Sequence, residues 1–256
     1  MLPDKKQVLV TGGNGGIGRH VVARLLAAGA RVTVADLDGT GCPTDATFVP
    51  TDLSTPDSVY RLGELFRASP PDILVNLAGV NVFGAFEAIE RSRLQMLMQV
   101  NLLAPMQLVH SLLPSMISRG SGQIVNISSV LGDIGLPYFA AYATSKAGIG
   151  NFSESLRREL AGRGITVTLI APRAVKTSMN HGTIEQFNRV SGANEDSPER
   201  VADIIVGAIS KDRKRITIGF PERIFIKVNA LLPSVVDYSL DRNRRLAEDV
   251  LAADSL

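Results

Sequence analysis

The segment that decides the fold is residues 7–18, QVLVTGGNGGIG, in which a short apolar run leads directly into a glycine-rich turn. Apolar positions then recur at helical spacing over residues 17–28. A strand, a glycine turn and a helix in this order present main-chain N–H groups at the helix N-terminus, where a pyrophosphate binds readily. The residues expected to approach or shape such a site are Gly12, Asn14, Gly16, Ile17 and Gly18.

The same alternation of strand and helix continues to about residue 220. Further strands are predicted at residues 31–35, 46–49, 72–77, 123–127, 166–170 and 215–218, and helices at 58–66, 92–116, 141–160 and from 197. Units of this spacing form right-handed crossovers between parallel strands. The sequence therefore predicts an α/β fold, a Rossmann-like doubly wound parallel sheet of about seven strands in three layers. We expect a single domain over residues 1–256, with a core of about 6–220 and a C-terminal extension of about 221–256.

The composition restricts the classes of partner. The 27 basic and 25 acidic residues leave a net charge of +2, so nucleic-acid binding has little support and a small-molecule substrate is expected. Cys42 is the only cysteine, which excludes an internal disulfide, leaves no expected metal site and fits the reducing cytoplasm. Residues 1–6 lack the apolar region of a secretory signal, and polar residues interrupt the apolar stretch 224–236. Neither segment is expected to span a bilayer.

An acidic residue at the end of the second predicted strand indicates the type of dinucleotide. Asp36 follows Gly18 at the distance where a carboxylate accepts hydrogen bonds from the adenosine ribose and repels a 2′-phosphate, which favours NAD over NADP. A solvated strand-end acid is the alternative, and Asp38 is close enough to take the same role. Arg19 or Arg31 would meet a 2′-phosphate if the loop bends differently.

A second acidic position follows the third predicted strand. Asp52, with Leu53 after it, is a candidate for contact with the adenine ring. An acid near the start of a helix is the equally good alternative for Asp52.

A phenol and an ammonium group lie four residues apart on one face of the predicted helix 141–160. They belong to Tyr142 and Lys146. A tyrosine near its reference pKa of about 10 is a poor base at neutral pH, but an adjacent cation favours the phenolate and permits proton exchange with an alcohol or ketone. An ordinary exposed pair on a helix is the alternative, because this spacing is common.

Two more polar residues accompany this pair. Ser129 ends the fifth predicted strand, so its hydroxyl can be aimed at the same carbonyl oxygen as Tyr142. Turn capping by Ser128 and Ser129 is the alternative. Asn101 lies within a helical stretch, where its amide is a poor helix former and either holds a water or perturbs the helix.

Taken in order, these motifs resemble the short-chain dehydrogenase/reductase family. The Thr-Gly-x-x-x-Gly-x-Gly loop at 11–18, the sequence NLAG at 76–79, Asn101, Ser129, the Tyr142/Lys146 pair and the segment 172–177 follow one another as in that family. The resemblance covers about residues 6–220. It implies an NAD(P)-dependent dehydrogenase or reductase, and a homodimer or homotetramer built largely from the helix that carries Tyr142.

The resemblance also implies roles for individual residues. Ser129 and Tyr142 would contact the substrate oxygen, Lys146 would also hold the nicotinamide ribose, and Asn101 would order a proton-relay water. Further cofactor contacts are implied for Asn76, Ala78, Gly79, Tyr142, Lys146, Pro172, Val175 and Thr177.

Two positions depart from the family pattern. Arg173 stands where the family usually has glycine, which bears on the geometry of the nicotinamide-side loop. Its side chain either meets an acidic group of the substrate or faces solvent. Leu77 replaces a second asparagine, and we expect this change to be minor.

Residues between the serine and the tyrosine indicate the kind of substrate. The apolar side chains of Leu131, Ile134, Leu136 and Phe139 would line the mouth of the site and favour an apolar carbonyl compound or secondary alcohol. Packing within the protein is an equally good account of them.

Two segments further along have expected roles around this site. A mobile lid is predicted over residues 177–196, with His181 on its surface. Three roles stay open for the C-terminal extension, in descending order of preference: a cover over the substrate cleft, a subunit interface, and contact with a membrane surface.

The sequence therefore predicts hydride transfer between NAD(H) and a carbonyl/secondary alcohol pair. One alternative is an NADPH-dependent 3-oxoacyl-thioester reductase. The other is a cofactor-binding sensor or scaffold without turnover, against which the complete set of four polar residues argues.

Overall fold

The described residues, 5–254, form one parallel sheet covered by helices on both faces in the computed structural model of the chain. The seven strands of this sheet are β1 (Gln7–Thr11), β2 (Arg31–Asp36), β3 (Thr47–Pro50), β4 (Ile73–Asn76), β5 (Gly122–Ile127), β6 (Ile165–Ala171) and β9 (Arg215–Thr217). Their order is β3-β2-β1-β4-β5-β6-β9, all parallel. The two short strands β7 (Ala174–Val175) and β8 (Glu195–Asp196) pair separately. The predicted fold class is confirmed.

Nine α-helices lie within the described residues. They are α1 (Gly18–Ala27), α2 (Pro56–Arg67), α3 (Arg91–Met98), α4 (Ala104–Arg119), α5 (Ala140–Glu159), α6 (Thr183–Ser191), α7 (Pro198–Ser210), α8 (Phe220–Leu231) and α9 (Pro233–Asp254). Side chains of a strand alternate between the two faces of a sheet. Val8 and Val10 therefore pack in the cluster with α1 and α7, whereas Leu9 packs in the cluster with α2 and α4.

The strand order reverses beside β1, and this position fixes where a ligand can bind. β2 and β3 lie on one side of β1 and β4 on the other, in register so that Thr11 is level with both Ala35 and Asn76. In doubly wound sheets, ligands bind in the crevice outside the carboxyl ends of the strands at this switch point.

The predicted helix over 92–116 is interrupted in the structure. A π-helical turn, Gln99–Leu103, separates α3 from α4 and contains Asn101, which confirms the expectation that this residue perturbs the helix. The stretch Arg91–Arg119 contains an 18-residue window of mean hydropathy 1.3 and is, by length and composition, long and apolar enough to cross a membrane. Leu108, Leu112 and Met116 on it are fully buried in the sheet-packed core, so it has the character of a core helix.

Two segments are more regular than their sequences suggested. The predicted lid contains a 3₁₀ turn (Ser178–Asn180), α6 and β8, and α6 is anchored by Phe187, which is 2% exposed. His181 is exposed, as expected. The C-terminal extension forms α8 and α9, and the inward stripe of α9 has helical spacing and consists of Val236, Leu240, Asn243, Ala247 and Val250.

Candidate active site

A cleft of about 970 Å³ opens at the carboxyl ends of the central strands, where the strand order reverses. We call it the dinucleotide cleft. Most of the residues expected to bind the cofactor line it: Gly12, Gly16, Ile17, Asp36, Asp52, Leu53, Ala78, Gly79, Tyr142, Lys146, Pro172, Val175 and Thr177. The remaining expected residues, Asn14, Gly18 and Asn76, lie behind this lining.

Glycine is required at two positions of the turn after β1. Gly12 has φ +68°, and a Cβ there would lie 2.6 Å from the Cα of Ala78. A Cβ on Gly18 would lie 2.0 Å from the main-chain oxygen of Gly12. Both neighbours are backbone, so only glycine permits this close approach, which leaves the N-terminus of α1 open to the cleft.

Asn14 joins the glycine turn to the end of β2. Its main-chain N–H donates to Asp36 Oδ2 at 2.9 Å, and its Nδ2 donates to the Asp38 carbonyl at 2.5 Å. The main-chain N–H of Leu37 donates to Asp36 Oδ1 at 2.8 Å, so both carboxylate oxygens are fixed. Asn14 Oδ1 is buried and has no hydrogen-bond partner within residues 5–254. The tight turn, the orphaned oxygen and the oriented carboxylate fit a bound dinucleotide.

Asp52 and Asn76 also serve the scaffold. Asp52 Oδ1 accepts from the N–H and Oγ of Ser54, at 2.8 and 2.7 Å, while the residue still lines the cleft. One carboxylate oxygen of Asp52 is therefore engaged just before α2, in agreement with the alternative of an acid near the start of a helix. Asn76 is 3% exposed and its Nδ2 donates to Asn126 Oδ1 at 2.8 Å. Its side chain ties β4 to β5 and does not reach the cleft.

The structure brings Ser129, Tyr142 and Lys146 together in the dinucleotide cleft. The Ser129 hydroxyl lies beside the Tyr142 phenol and acts to lower its pKa. Lys146 Nζ lies 5.7 Å from the centroid of the Tyr142 ring and donates to the Ile127 carbonyl at 3.2 Å. Ser129 Oγ also accepts from the N–H of Leu131 at 3.2 Å, which combines its predicted turn role with a place in the site.

Burial dominates the electrostatics of this group. It raises the pKa of Tyr142 to about 12, with the Ser129 hydrogen bond opposing the shift, and it lowers the pKa of Lys146 to about 8. Desolvation of the phenolate is the largest cause of the Tyr142 shift, and the expectation that Lys146 favours the phenolate stays a prediction. At neutral pH the phenol is protonated and is therefore a proton donor.

Asn101 fixes the frame around the catalytic group. Its Oδ1 accepts from the Val80 N–H at 2.8 Å, and its Nδ2 donates to the Val80 carbonyl and to Ser145 Oγ at 2.9 and 3.1 Å. Ser145 Oγ in turn donates to the Tyr142 carbonyl at 2.7 Å. The Asn101 side chain is 2% exposed and lies behind the cleft, so it joins the loop after β4 to the first turn of α5. Its implied ordering of a water stays a prediction.

Two aromatic side chains, Phe139 and Phe187, line the cleft and pack on Phe83 behind them. The ring of Phe83 lies 4.8 Å from Phe139 and 5.2 Å from Phe187, centroid to centroid. Leu131, Leu136 and Phe139 line the cleft as predicted, whereas Ile134 is buried elsewhere. The lining also includes residues that the sequence did not single out, among them Val80, Asn81, Met179, Ile184, Phe187 and Asn243. Two features of the sequence could have indicated some of these residues: the amphipathic spacing of α6 and the single amide in the apolar stripe of α9.

Arg173 lines the cleft and does not face solvent, so the solvent-facing alternative is wrong, whereas its contact with an acidic group of the substrate stays a prediction. Its side chain is 15% exposed. Nε donates to Asp196 Oδ2 at 2.9 Å, and NH1 contacts Glu222 at 3.3 Å. These carboxylates raise the pKa of the guanidinium further. Arg173 therefore connects the loop after β6 with β8 and with the first turn of α8.

Neither arginine considered for a 2′-phosphate lines the dinucleotide cleft. Arg31 begins β2, about 16 Å of extended chain away from Asp36 at the other end. It lines a separate cavity of about 740 Å³ at the amino-terminal edge of the sheet. Arg19 is exposed on α1, and its Nε donates to His20. At the carboxyl end of β2, the charged side chain that lines the cleft is the acidic one of Asp36.

A doubly wound sheet with a glycine turn at its switch point and a Ser-Tyr-Lys group in the same cleft defines a nicotinamide-dependent oxidoreductase. The sequence profile of the short chain dehydrogenase family matches residues 6–188. The chain belongs to the short-chain dehydrogenase/reductase family. It is an NAD(P)-dependent oxidoreductase that acts on CH–OH groups and the corresponding carbonyls.

Individual relatives span nearly the whole chain. A 2,3-dihydroxy-2,3-dihydro-p-cumate dehydrogenase of Pseudomonas putida is 34% identical over 88% of this chain and 92% of its own. The ketoacyl reductase HetN of a Nostoc species is 29% identical over 91% and 87%. A short-chain dehydrogenase crystal structure from Streptomyces avermitilis has a TM-score of 0.78 and 25% identity, covering 96% of this chain and 99% of that one.

Proposed function

We propose that Ser129, Tyr142 and Lys146 manage the proton in the reversible reduction of an uncharged, apolar ketone to a secondary alcohol, with NAD(H) as cofactor. The observation that supports this most is the placement of the Ser129 hydroxyl beside the buried Tyr142 phenol, with Lys146 Nζ 5.7 Å from the phenol ring centroid, within the dinucleotide cleft. Phe139 and Phe187 contact each other and line the cleft, and these aromatic rings support an apolar substrate.

In the direction of reduction, the carbonyl oxygen accepts hydrogen bonds from Ser129 and Tyr142. When bound, the nicotinamide ring supplies the hydride. The Tyr142 phenol gives its proton to the oxygen as negative charge develops there. The Lys146 ammonium, 5.7 Å from the ring centroid, stabilises the phenolate that remains. Asn101 acts as a positioning residue through Val80 and Ser145.

The cofactor would be held by the residues that line the cleft. Gly12, Gly16 and Ile17 would contact the pyrophosphate, Asp36 the ribose, and Asp52 with Leu53 the adenine. Val175 and Thr177 would hold the nicotinamide amide.

A preference for NAD over NADP is supported by the Asp36 carboxylate, which two main-chain N–H groups orient. The Asp36→Ser variant should lower the ratio of NADH to NADPH turnover by about tenfold or more, because the charge that repels a 2′-phosphate is lost. Asp38→Ser, next to it but exposed, is the control and should leave the ratio unchanged. A wild type that strongly prefers NADPH would contradict the assignment.

The experiment that tests the function is a screen of uncharged alicyclic and aryl ketones with NADH at several pH values. For the fastest substrate, Tyr142→Phe should lower the rate by about a thousandfold while NADH binding, followed by its fluorescence, is retained. An unchanged rate would refute the proton role. Absence of turnover with every ketone, with intact NADH binding, would favour a sensor or scaffold.

A second candidate is NADPH-dependent reduction of 3-oxoacyl thioesters, favoured by the similarity to a ketoacyl reductase. Acetoacetyl-coenzyme A assayed with NADPH and NADH separates it from the main proposal. Faster turnover of this thioester with NADPH than of any simple ketone with NADH would replace the main proposal.

We also infer a cytoplasmic setting and a homodimer or homotetramer. The free thiol of Cys42 fits a reducing compartment. The assembly through α5 follows from the family resemblance, and light scattering of the purified protein tests it.

A further inference from the structure

Helices α8 and α9 meet at a turn that exposes large apolar side chains. Six of them lie within residues 220–238 and are 51% to 88% exposed: Phe220, Ile224, Leu231, Leu232, Val235 and Tyr238. We call this set the apolar elbow. Single exposed apolar residues are common on protein surfaces, but a concentration of this kind marks a binding surface.

The apolar elbow is the outer face of helices that are held to the protein by their inner face. Phe220, Ile224 and Leu231 share one stripe of α8, spaced by four and seven residues. On the other side of the helix, Glu222 is bound by Arg173, and Asn229 Nδ2 donates to the Asp133 carbonyl at 3.1 Å. The exposed stripe is therefore fixed outward.

Positive charge surrounds the apolar elbow. Arg223 and Lys227 lie on α8 itself, and Lys211, Arg213 and Lys214 precede β9. Arg215 and Asn229 both bind Asp133, the former at 2.6 Å, so the start of β9, which follows the second group, lies beside the carboxyl half of α8. All five of these cations are exposed, and none forms an ion pair with another described residue.

Acidic side chains in the same region are mostly engaged elsewhere. Asp212 accepts from Gln123 Nε2 at 3.0 Å, and Glu222 is paired with Arg173. Asp237 stays exposed among the apolar residues. The surface that combines apolar and charged groups is consequently basic.

We propose that the apolar elbow and its five cations dock the protein peripherally on the surface of an anionic phospholipid bilayer. Apolar side chains beside lysine and arginine fit the boundary between acyl chains and anionic head groups. A two-fold contact between copies of this chain would place the same patch against itself, so cations would face cations. That repulsion favours a lipid surface over a second copy.

The docking surface is adjacent to the rim of the dinucleotide cleft. Glu222 of α8 and Asn243 of α9 line the cleft, and the same two helices form the apolar elbow. An apolar substrate dissolved in the bilayer would therefore reach the cleft along these helices. Docking itself requires no turnover, so its test is independent of the proposed reaction.

The absence of tryptophan from the chain gives a clean probe of docking. Leu231→Trp places one indole in the apolar elbow, and Leu65→Trp, at a 67% exposed position on α2, is the matched control. With vesicles of phosphatidylcholine containing phosphatidylglycerol, the fluorescence of Leu231→Trp should shift to the blue and that of Leu65→Trp should stay unchanged. The double variant Arg223→Gln/Lys227→Gln should co-sediment with these vesicles roughly 25-fold more weakly, and added salt should weaken the wild type in the same direction.

Three results would overturn the proposal. One is the absence of a blue shift and of co-sedimentation at any content of phosphatidylglycerol. The second is equal binding to pure phosphatidylcholine, which would remove the role of the cations. The third is a wild-type oligomer, measured by light scattering, that Leu231→Asp dissociates while Leu65→Asp does not, since the apolar elbow would then be an interface between copies.

Discussion

Residues 6–188, which match the family profile, and residues 189–254, which follow them, are built on different principles. In the first region, polar groups stand at strand ends and are held by backbone geometry, as Asp36 is held by the N–H groups of Asn14 and Leu37. In the second, β9 extends the sheet and α7 packs on it, whereas α8 and α9 attach to the first region through side chains, such as Glu222 to Arg173 and Glu248 to Tyr138. The first region contains the chemistry, whereas the second completes the cleft and carries the exposed surface.

This difference teaches where each property of the enzyme resides. Few substitutions preserve the backbone geometry of the first region, so substitutions there should abolish cofactor binding or proton transfer. More substitutions preserve side-chain contacts across a surface, so substitutions in the second region should alter stability and substrate range while hydride and proton transfer continue.

The largest effect is expected from a methyl group in the glycine turn. Gly18→Ala places a Cβ 2.0 Å from the Gly12 oxygen, so the turn must open and NADH affinity should fall by about a hundredfold or more. Gly207→Ala in α7 is the matched control, because no atom lies within 4 Å of the added Cβ. It should retain NADH binding and gain about 0.5–1 kcal/mol of unfolding free energy. Equal NADH affinity in both variants would remove the distinction between the regions.

The next effect concerns the charge of Lys146. Since burial lowers the pKa of Lys146 to about 8, kcat/KM for ketone reduction should be level below about pH 8 and fall up to about tenfold per pH unit above it. Tyr142, with a pKa of about 12, stays protonated throughout this range. The Lys146→Arg variant keeps its positive charge above pH 8, so its kcat/KM should not fall there, although it should be lower than that of the wild type at every pH.

The control for this pH dependence is the Lys176→Arg variant. Lys176 is exposed and lies between the cleft residues Val175 and Thr177. Its pH profile should match that of the wild type. A wild-type profile that stays level to pH 10 would show that another group governs the proton transfer.

A smaller effect is expected where the two regions join. Arg173→Met leaves Glu222 unpaired and leaves Asp196, which is 2% exposed, with Arg200 alone, so the unfolding free energy should fall by about 2–4 kcal/mol. Arg200→Met removes a contact to the same carboxylate from a side chain that is 62% exposed, and should cost about 1 kcal/mol or less. Urea denaturation of both variants measures the difference. Equal losses would mean that Arg173 does not anchor the second region.

The smallest effect concerns Asn243, an amide in the apolar stripe of α9 that lines the cleft. Its side-chain amide forms no hydrogen bond to another described residue, which suits contact with a polar group of the substrate far from the carbonyl. Asn243→Leu should raise KM about fivefold for ketones with a distal hydroxyl and leave kcat unchanged. Arg242→Leu, on the outer face, should change neither. Identical KM values for hydroxylated and plain ketones in both proteins would contradict this role.

The sequence was a reliable guide wherever period and spacing determine structure. The strand at 7–11 and the helix over 17–28 were predicted to within one residue, because a buried parallel sheet requires continuous apolar runs and the helix that covers it has apolar residues at helical spacing. The meeting of Ser129, Tyr142 and Lys146 was also predictable, since strand ends and a four-residue helical spacing fix it.

What escaped prediction depends on long-range burial. The raised pKa of Tyr142 follows from desolvation, which a local Tyr/Lys spacing does not reveal. The ion pairs of Arg173 join residues up to 49 positions apart, so nothing near Arg173 in the chain indicated them. The helices α8 and α9 were missed because their apolar residues face outward as well as inward, which blurs the amphipathic period.

The most direct test of the catalytic account is a double-variant cycle of Ser129→Ala and Tyr142→Phe, with kcat/KM measured for the best ketone of the screen. If both groups act on one substrate oxygen, the double variant should be within about threefold of Tyr142→Phe alone, because the second loss removes little once the first has occurred. Independent effects, in which the two losses multiply, would contradict the shared oxygen on which the proposed mechanism depends.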